Sequence, residues 1–167
     1  MKALLILLLL TGTARADGKL GWHIGGARTP IGERDLTTMA LGLEVEHPLA
    51  CELRVFGEYD WLWVTDPASR EMDDVGSGHR VGAGLRHRLL GATAGAAHLI
   101  HFYVDGELGG GMMLASTANG AVVVPHAIAG LRAGYMLYGW EPELMVRALA
   151  VEHGAGVMFG IGIVWGD

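Results

Sequence analysis

The stretch Cys51 to Val64, CELRVFGEYDWLWV, sorts into two sets of opposite character when every second residue is taken. Leu53, Val55, Gly57, Tyr59, Trp61 and Trp63 make one set; Glu52, Arg54, Phe56, Glu58 and Asp60 make the other. A period of two is the pattern of a β-strand with two unlike faces. The run exceeds the roughly 5–6 residues of an ordinary globular strand and suits the roughly 9–11 that a tilted strand needs to cross a bilayer. One face is apolar and ends in tryptophans; the other is charged. The stretch reads as one stave of a closed membrane barrel.

Working outward, the same alternation recurs between turn signals. Leu20, Trp22 and Ile24 oppose Gly21, His23 and Gly25, and RTPIGERD (Arg28 to Asp35) reads as a loop. Met39, Leu41, Leu43 and Val45 oppose Thr38, Ala40, Gly42, Glu44 and Glu46, and His47 to Ala50 leads into the stretch above. After Val64 comes the polar segment Thr65 to Gly78, whose Asp66, Glu71, Asp73 and Asp74 lack the spacing of a calcium loop. Val81, Ala83, Leu85 and His87 then oppose Arg80, Gly82, Gly84, Arg86 and Arg88. Beyond the connection Leu90 to Ala97, Ile100, Phe102, Val104, Gly106 and Leu108 oppose His101, Tyr103, Asp105, Glu107 and Gly109. Met112 to Gly120 reads as a loop, followed by Ala127, Ala129, Leu131, Ala133 and Tyr135 against His126, Ile128, Gly130, Arg132 and Gly134. A turn at Leu137 to Pro142, a weakly patterned strand at Leu144 to Val151, and VMFGIGIVW at the end complete eight strands. An even number puts both termini on one side.

The chain opens MKALLILLLLTGTARA: a positive Lys2, an apolar run Ala3 to Leu10 and a small-x-small site at Ala14 to Ala16. That predicts a cleavable signal peptide over residues 1–16 and a single barrel domain over residues 17–167. Removing Lys2 and Arg15 from the 12 Lys+Arg leaves 10 against 18 Asp+Glu, a net charge of −8, which argues against nucleic acid as a partner. Lys19 is then the only lysine. Soluble surfaces use lysine freely, so near-exclusive arginine suggests charges that are enclosed and paired. Cys51 is the single cysteine and excludes an internal disulfide.

Alternation alone also fits a soluble barrel, which would hide its apolar face. Three features favour the membrane. The charged face is also the glycine-rich face (Gly21, Gly25, Gly42, Gly82, Gly84, Gly109, Gly130, Gly134, Gly160, Gly162), as a narrow, crowded interior requires and a solvent face does not. The aromatics Trp22, Trp61, Trp63, Tyr135 and Trp165 gather toward strand ends, where interfacial girdles sit. Finally, only closure satisfies the backbone of strands in hydrocarbon. With PHAIAGLRAGYML (Pro125 to Leu137) and GIGIVW (Gly160 to Trp165), the chain resembles the eight-stranded outer-membrane β-barrel family typified by OmpA, OmpX and OmpW. The resemblance implies an all-β, antiparallel, up-and-down transmembrane barrel in the outer membrane of a Gram-negative bacterium. It also implies that Phe159, Ile161, Ile163 and Trp165 carry a terminal signal read by the barrel-insertion machinery.

The predicted lumen charge network comprises Glu44, Glu52, Arg54, Glu58, Asp60, Arg80, Arg86, Arg88, Asp105, Glu107, Arg132 and Arg147, together with Glu46. A hairpin across Thr65 to Gly78 would bring Glu58 close to Arg86 and Asp60 close to Arg80. Such groups must be paired, because an isolated buried charge costs several kcal/mol. The expected function is a structural or surface-interaction role for a monomer surrounded by outer-membrane lipid, with no catalytic residues, cofactor or metal. A lumen path for protons or ions stays open beside it. Two rivals come from other classes. A lipid A deacylase-like enzyme would need a serine near His126, where Ile128 stands, or acid–base work from His101, Tyr103, Asp105 and Glu107. Ser69 and Ser116 read as loop residues without a His–acid pair, and His79, His87 and His153 lack ligand spacing. A soluble, lipocalin-like exported carrier is the third reading.

Overall fold

The computed structural model describes residues 18–31, 34–65, 75–94, 100–117, 120–152 and 154–166. The signal-peptide segment, the acids between positions 66 and 74, Ser69 and His153 lie outside these described residues. Eight strands follow one another: β1 (Lys19–Ile31), β2 (Arg34–Pro48), β3 (Leu53–Thr65), β4 (Val75–Ala94), β5 (Ile100–Thr117), β6 (Gly120–Met136), β7 (Trp140–Val151) and β8 (Gly154–Trp165). Each pairs antiparallel with the next, and β8 returns to β1 through the ladder from Leu20↔Trp165 to Arg28↔Val157, closing the barrel.

The registers fix its shape. Crossing the ladders from Leu20 through Val45, Gly57, Ala83, Gly110, Ala127, Ala150 and Ala155 leads back to β1 ten residues above the start, near Pro30. A stagger of that size over eight strands tilts them by about 40° and leaves an interior just wide enough for side chains. The extra residue between Arg88 and Leu90 on β4 is absorbed as a bulge. At Leu137 to Trp140 a two-residue turn places Tyr138 (φ 50°) and Gly139 (φ 81°) in the left-handed region, the geometry that matches the twist of a tight hairpin.

Several sequence-based boundaries are corrected. Arg28 to Asp35 and Met112 to Gly120, read as loops, are mostly strand: β1 and β2 pair as far as Ile31↔Arg34, and β5 and β6 as far as Thr117↔Gly120. Ser116 is accordingly a strand residue, opposite Ser77 and Ala121. Leu90 to Ala94 likewise continue β4. Pro30 in RTPIGERD suggests a break, but the ladder continues through it, Pro30 pairing with Asp35 and Ile31 with Arg34.

The two faces take opposite environments. Outward lie Leu41, Leu43, Trp61, Trp63, Val81, Leu85, Leu108, Leu131, Leu144, Phe159 and Ile161, with Leu108 67% and Phe159 61% exposed. Inward lie the charges, including Asp60 and Arg147 at 0%. On β5 alone the apolar exterior runs from Phe102 to Leu114. At about 3.3 Å per residue and a tilt of about 40° that is roughly 30 Å, the thickness of a hydrocarbon core. A water-soluble carrier would show the reverse arrangement, so the lipocalin-like reading is set aside.

The aromatic residues fall at both rims. Trp61 and Trp63 lie toward the end that leads to residue 65, while Tyr135 and Trp165 lie at the end holding the termini. Trp140, placed in a turn by the sequence, joins Trp165 there with ring centroids 6.0 Å apart, and Phe102 joins Tyr135. Trp22 sits opposite Leu43 and Ile163, one outward position deeper than the rim.

Candidate functional site

The site is the lumen, and glycine shapes it. His23 and Asp60 both face Gly42, Glu58 faces Gly82, Phe56 faces Gly84, Glu107 and Arg147 face Gly130, and Tyr103 and Glu143 face Gly134. Each large inward side chain thus reaches across a neighbouring strand through the space an absent side chain leaves. A Cβ on Gly42 would fall on the His23–Asp60 contact, whereas one on the outward Gly57 would meet nothing within 4 Å. Gly42→Ala is therefore expected to cost about 1–3 kcal/mol by overpacking, and Gly57→Ala close to nothing. The midpoint of urea unfolding in micelles checks both.

The lumen is layered along its axis. At the terminal end Lys19 pairs with Glu141, and Asp105 is shared by Arg54 and Arg88, the latter through Nε at 2.5 Å. The Arg88 guanidinium also lies 4.3 Å from the Tyr103 ring centroid. Deeper, Arg132 pairs with Glu44, Glu107 (3.0 Å) and Glu143. Arg86 reaches Glu44 (2.9 Å), Glu46 and Glu107 (3.2 Å), and its guanidinium lies 4.9 Å from the Phe56 ring. Arg147 donates to Glu58 (2.7 Å) and Glu107. Uppermost, Arg80 donates to Asp60 at 2.7 Å, and His23 Nε2 meets the other Asp60 oxygen, also at 2.7 Å. Above these charges an apolar layer of Leu36, Ala40, Leu62, Val64, Met113, Ala115 and Val124 fills the barrel toward the end opposite the termini.

Of the sequence-predicted network, Glu44, Glu58, Asp60, Arg80, Arg86, Asp105, Glu107, Arg132 and Arg147 are buried together, with Arg54 and Arg88 half-buried at the terminal mouth. Glu52 is a correction: it is exposed in the turn before β3, where its carbonyl accepts from Arg88 N at 2.9 Å. The chain turns there before the strand begins, so Glu52 lines the open terminal mouth and lies outside the buried network. The Glu58–Arg86 pairing is a second correction. The β3–β4 register sets Arg86 opposite Arg54 and Glu58 opposite Gly82, so Glu58 turns to Arg147 from across the barrel. Asp60 and Arg80 are direct register partners. Lys19, His23, Glu141 and Glu143 belong to the network and were missed. Glu141 and Glu143 flank Pro142, whose turn signal hides their alternation; Lys19 and His23 stand on the first strand, where the sequence reading assigns no lumen charge.

The acid–base row on β5 is engaged elsewhere. Tyr103 donates to Glu143 (3.4 Å), Asp105 and Glu107 are held by arginines, and His101 is exposed at the rim. His126 is buried beside the apolar layer, and neither ring nitrogen has a protein partner. His23, Glu58 and Asp60 bring ligand atoms within 4.8 Å of one another. Arg80 and Arg147 already neutralise those carboxylates, so a divalent ion there would face two guanidinium groups. At the terminal mouth a cavity of about 380 Å³ is lined by Lys19, Glu46, Arg54, Arg88 and the exposed Cys51.

Closed strands, an apolar exterior and enclosed charges define a transmembrane β-barrel, with the fold of the eight-stranded outer-membrane barrels. The chain is similar to Neisserial surface protein A, with a TM-score of 0.61 and 8% identity over 90% of this chain and 97% of that one. It is also similar to Ail, the attachment invasion locus protein of Yersinia pestis, in its complex with the heparin analogue sucrose octasulfate. There the TM-score is 0.51, with 14% identity over 89% of this chain and 98% of that one. Likeness at these identities is one of fold. No protein-family model matches the chain, and no curated protein matches it in sequence.

Proposed function

We propose that the protein is a small, monomeric, non-conducting outer-membrane barrel with a structural or surface-interaction role. On this reading outer-membrane lipid surrounds it, and the barrel-insertion machinery delivers it with its termini on the periplasmic side. The observation that supports the reading is the stacking of two different seals in one lumen. Among the described residues, the apolar layer of Leu36, Ala40, Leu62, Val64, Met113, Ala115 and Val124 offers an ion no ligand, and beneath it the pairs Arg132–Glu44 and Arg147–Glu58 bridge the lumen from opposite strands. A barrel closed in this way works as a scaffold for what lies at its rims. In planar bilayers the parent is expected to give no discrete conductance steps; ohmic steps in a folded, purified preparation would overturn the reading. Replacing the apolar layer through Leu62→Ser and Val64→Ser together is expected to raise leak above the parent.

A further inference from the structure

Outward side chains of a membrane barrel should be apolar within the belt, yet Tyr59 stands at the midpoint of β3, six residues from Leu53 and six from Thr65. Its hydroxyl lies 2.7 Å from Nδ1 of the outward His79 on β4, and the two rings stack 5.8 Å apart at 25°. Trp61 is the direct cross-strand partner of His79, its ring 6.2 Å from the imidazole. Trp61 in turn stacks on Trp63 with ring centroids 6.1 Å apart and 13° between the planes, so the two indoles stand nearly parallel, 50% and 42% exposed. A phenol O–H that donates to Nδ1 selects the tautomer whose ring proton is on Nε2. No side chain among the described residues accepts from that nitrogen. An N–H donor facing lipid needs an acceptor, and an ionisable side chain within a membrane span marks a site by default.

We propose that Tyr59, Trp61, Trp63 and His79 form an exterior binding site for one membrane lipid, recognised through its phosphate. His79 Nε2–H donates to a phosphate oxygen, Tyr59 fixes the tautomer and the ring plane, and the stacked indoles of Trp61 and Trp63 pack against the lipid backbone just below its headgroup. Phosphate is favoured over an ester carbonyl because a hydrogen bond to an ionised acceptor is about twice as strong as one to a neutral acceptor, and because tryptophans lie at headgroup level. The inference rests on the barrel being membrane-embedded, as proposed above.

The test is native mass spectrometry of the folded protein in detergent micelles, titrated separately with phosphatidylglycerol and with diacylglycerol, which lacks the phosphate. One phosphatidylglycerol per barrel is expected. His79→Leu and Tyr59→Phe should each weaken it by about fivefold, the factor one hydrogen bond contributes. Diacylglycerol should bind the parent no better than phosphatidylglycerol binds the His79→Leu variant. Undiminished affinity in His79→Leu, or equal binding of the two lipids by the parent, overturns the site. The same samples run unboiled on a gel separate the two ideas: a parent without heat-modifiable migration overturns the membrane-barrel reading, whereas shifted bands with unchanged affinities overturn the lipid site alone.

Discussion

Arg132→Met is expected to lower the unfolding free energy of the barrel by about 3–5 kcal/mol, the cost of removing one partner from a buried ion-pair network. Arg132 is 1% exposed and meets three carboxylates, Glu44, Glu107 and Glu143. Their fates differ once it is gone. Glu44 keeps Arg86 and Arg147, and Glu107 keeps Arg86 and Arg147, but among the described residues Glu143 is left with the Tyr103 hydroxyl at 3.4 Å. The damage should therefore concentrate on Glu143. Adding Glu143→Gln to Arg132→Met removes the stranded charge and should recover a substantial part of the loss, an interaction that a double-mutant cycle measures directly. Urea titration of the folded protein in micelles, read by tryptophan fluorescence and by gel mobility, supplies all four corners of the cycle. Additive losses, or an Arg132→Met variant within about 1 kcal/mol of the parent, would mean that water already solvates the lumen charges at this depth.

The same network marks where the sequence was legible. Strands whose inward face is polar announced themselves: Glu58 and Asp60 against Tyr59 and Trp61 leave no doubt about which set is which. β7 did not, because Met145 and Leu149 point inward beside Arg147 while Leu144, Val146 and Ala148 point outward. When both faces are apolar the period of two vanishes from hydropathy and survives only in the hydrogen-bond register. The apolar layer was invisible for that reason, since Leu36, Leu62, Met113 and Val124 are the same residue types that coat the exterior. Pairings across the barrel were also out of reach. Local register brings Asp60 to Arg80, but Arg132 to Glu44 joins β6 to β2 through the lumen, and that follows only from closure and stagger. A turn signal misled where proline lay within a ladder, as at Pro30. Glycine here marks close approach inside the barrel as often as a turn.

The exterior makes the opposite demand on charge. Leu108 lies near the middle of β5, opposite Leu85 and Ala129, and is 67% exposed. On a water-soluble protein Leu108→Arg would be a surface change worth no more than about 0.5 kcal/mol either way. On a membrane barrel it carries a guanidinium to the centre of the hydrocarbon, where the cost is about 2–4 kcal/mol. Val122, outward and only two residues into β6, offers the comparison. At that depth an arginine can snorkel to the headgroups, and Val122→Arg should cost about 0–1 kcal/mol. Reversible urea unfolding from phosphatidylcholine vesicles measures both, and the ordering matters more than either value. A depth-graded penalty has no counterpart in a protein surrounded by water, so equal and negligible losses at the two positions would place the apolar face against solvent or against another protein. Moving the same arginine one residue along, Gly109→Arg, would point it into the lumen, where Gly109 already approaches the β4 backbone at Ala83 and Gly84. That variant should fail to close the β4–β5 ladder, for reasons of volume and not of charge. Position 108 therefore separates the effect of lipid from the effect of packing, because its side chain meets the surroundings of the barrel and not its interior.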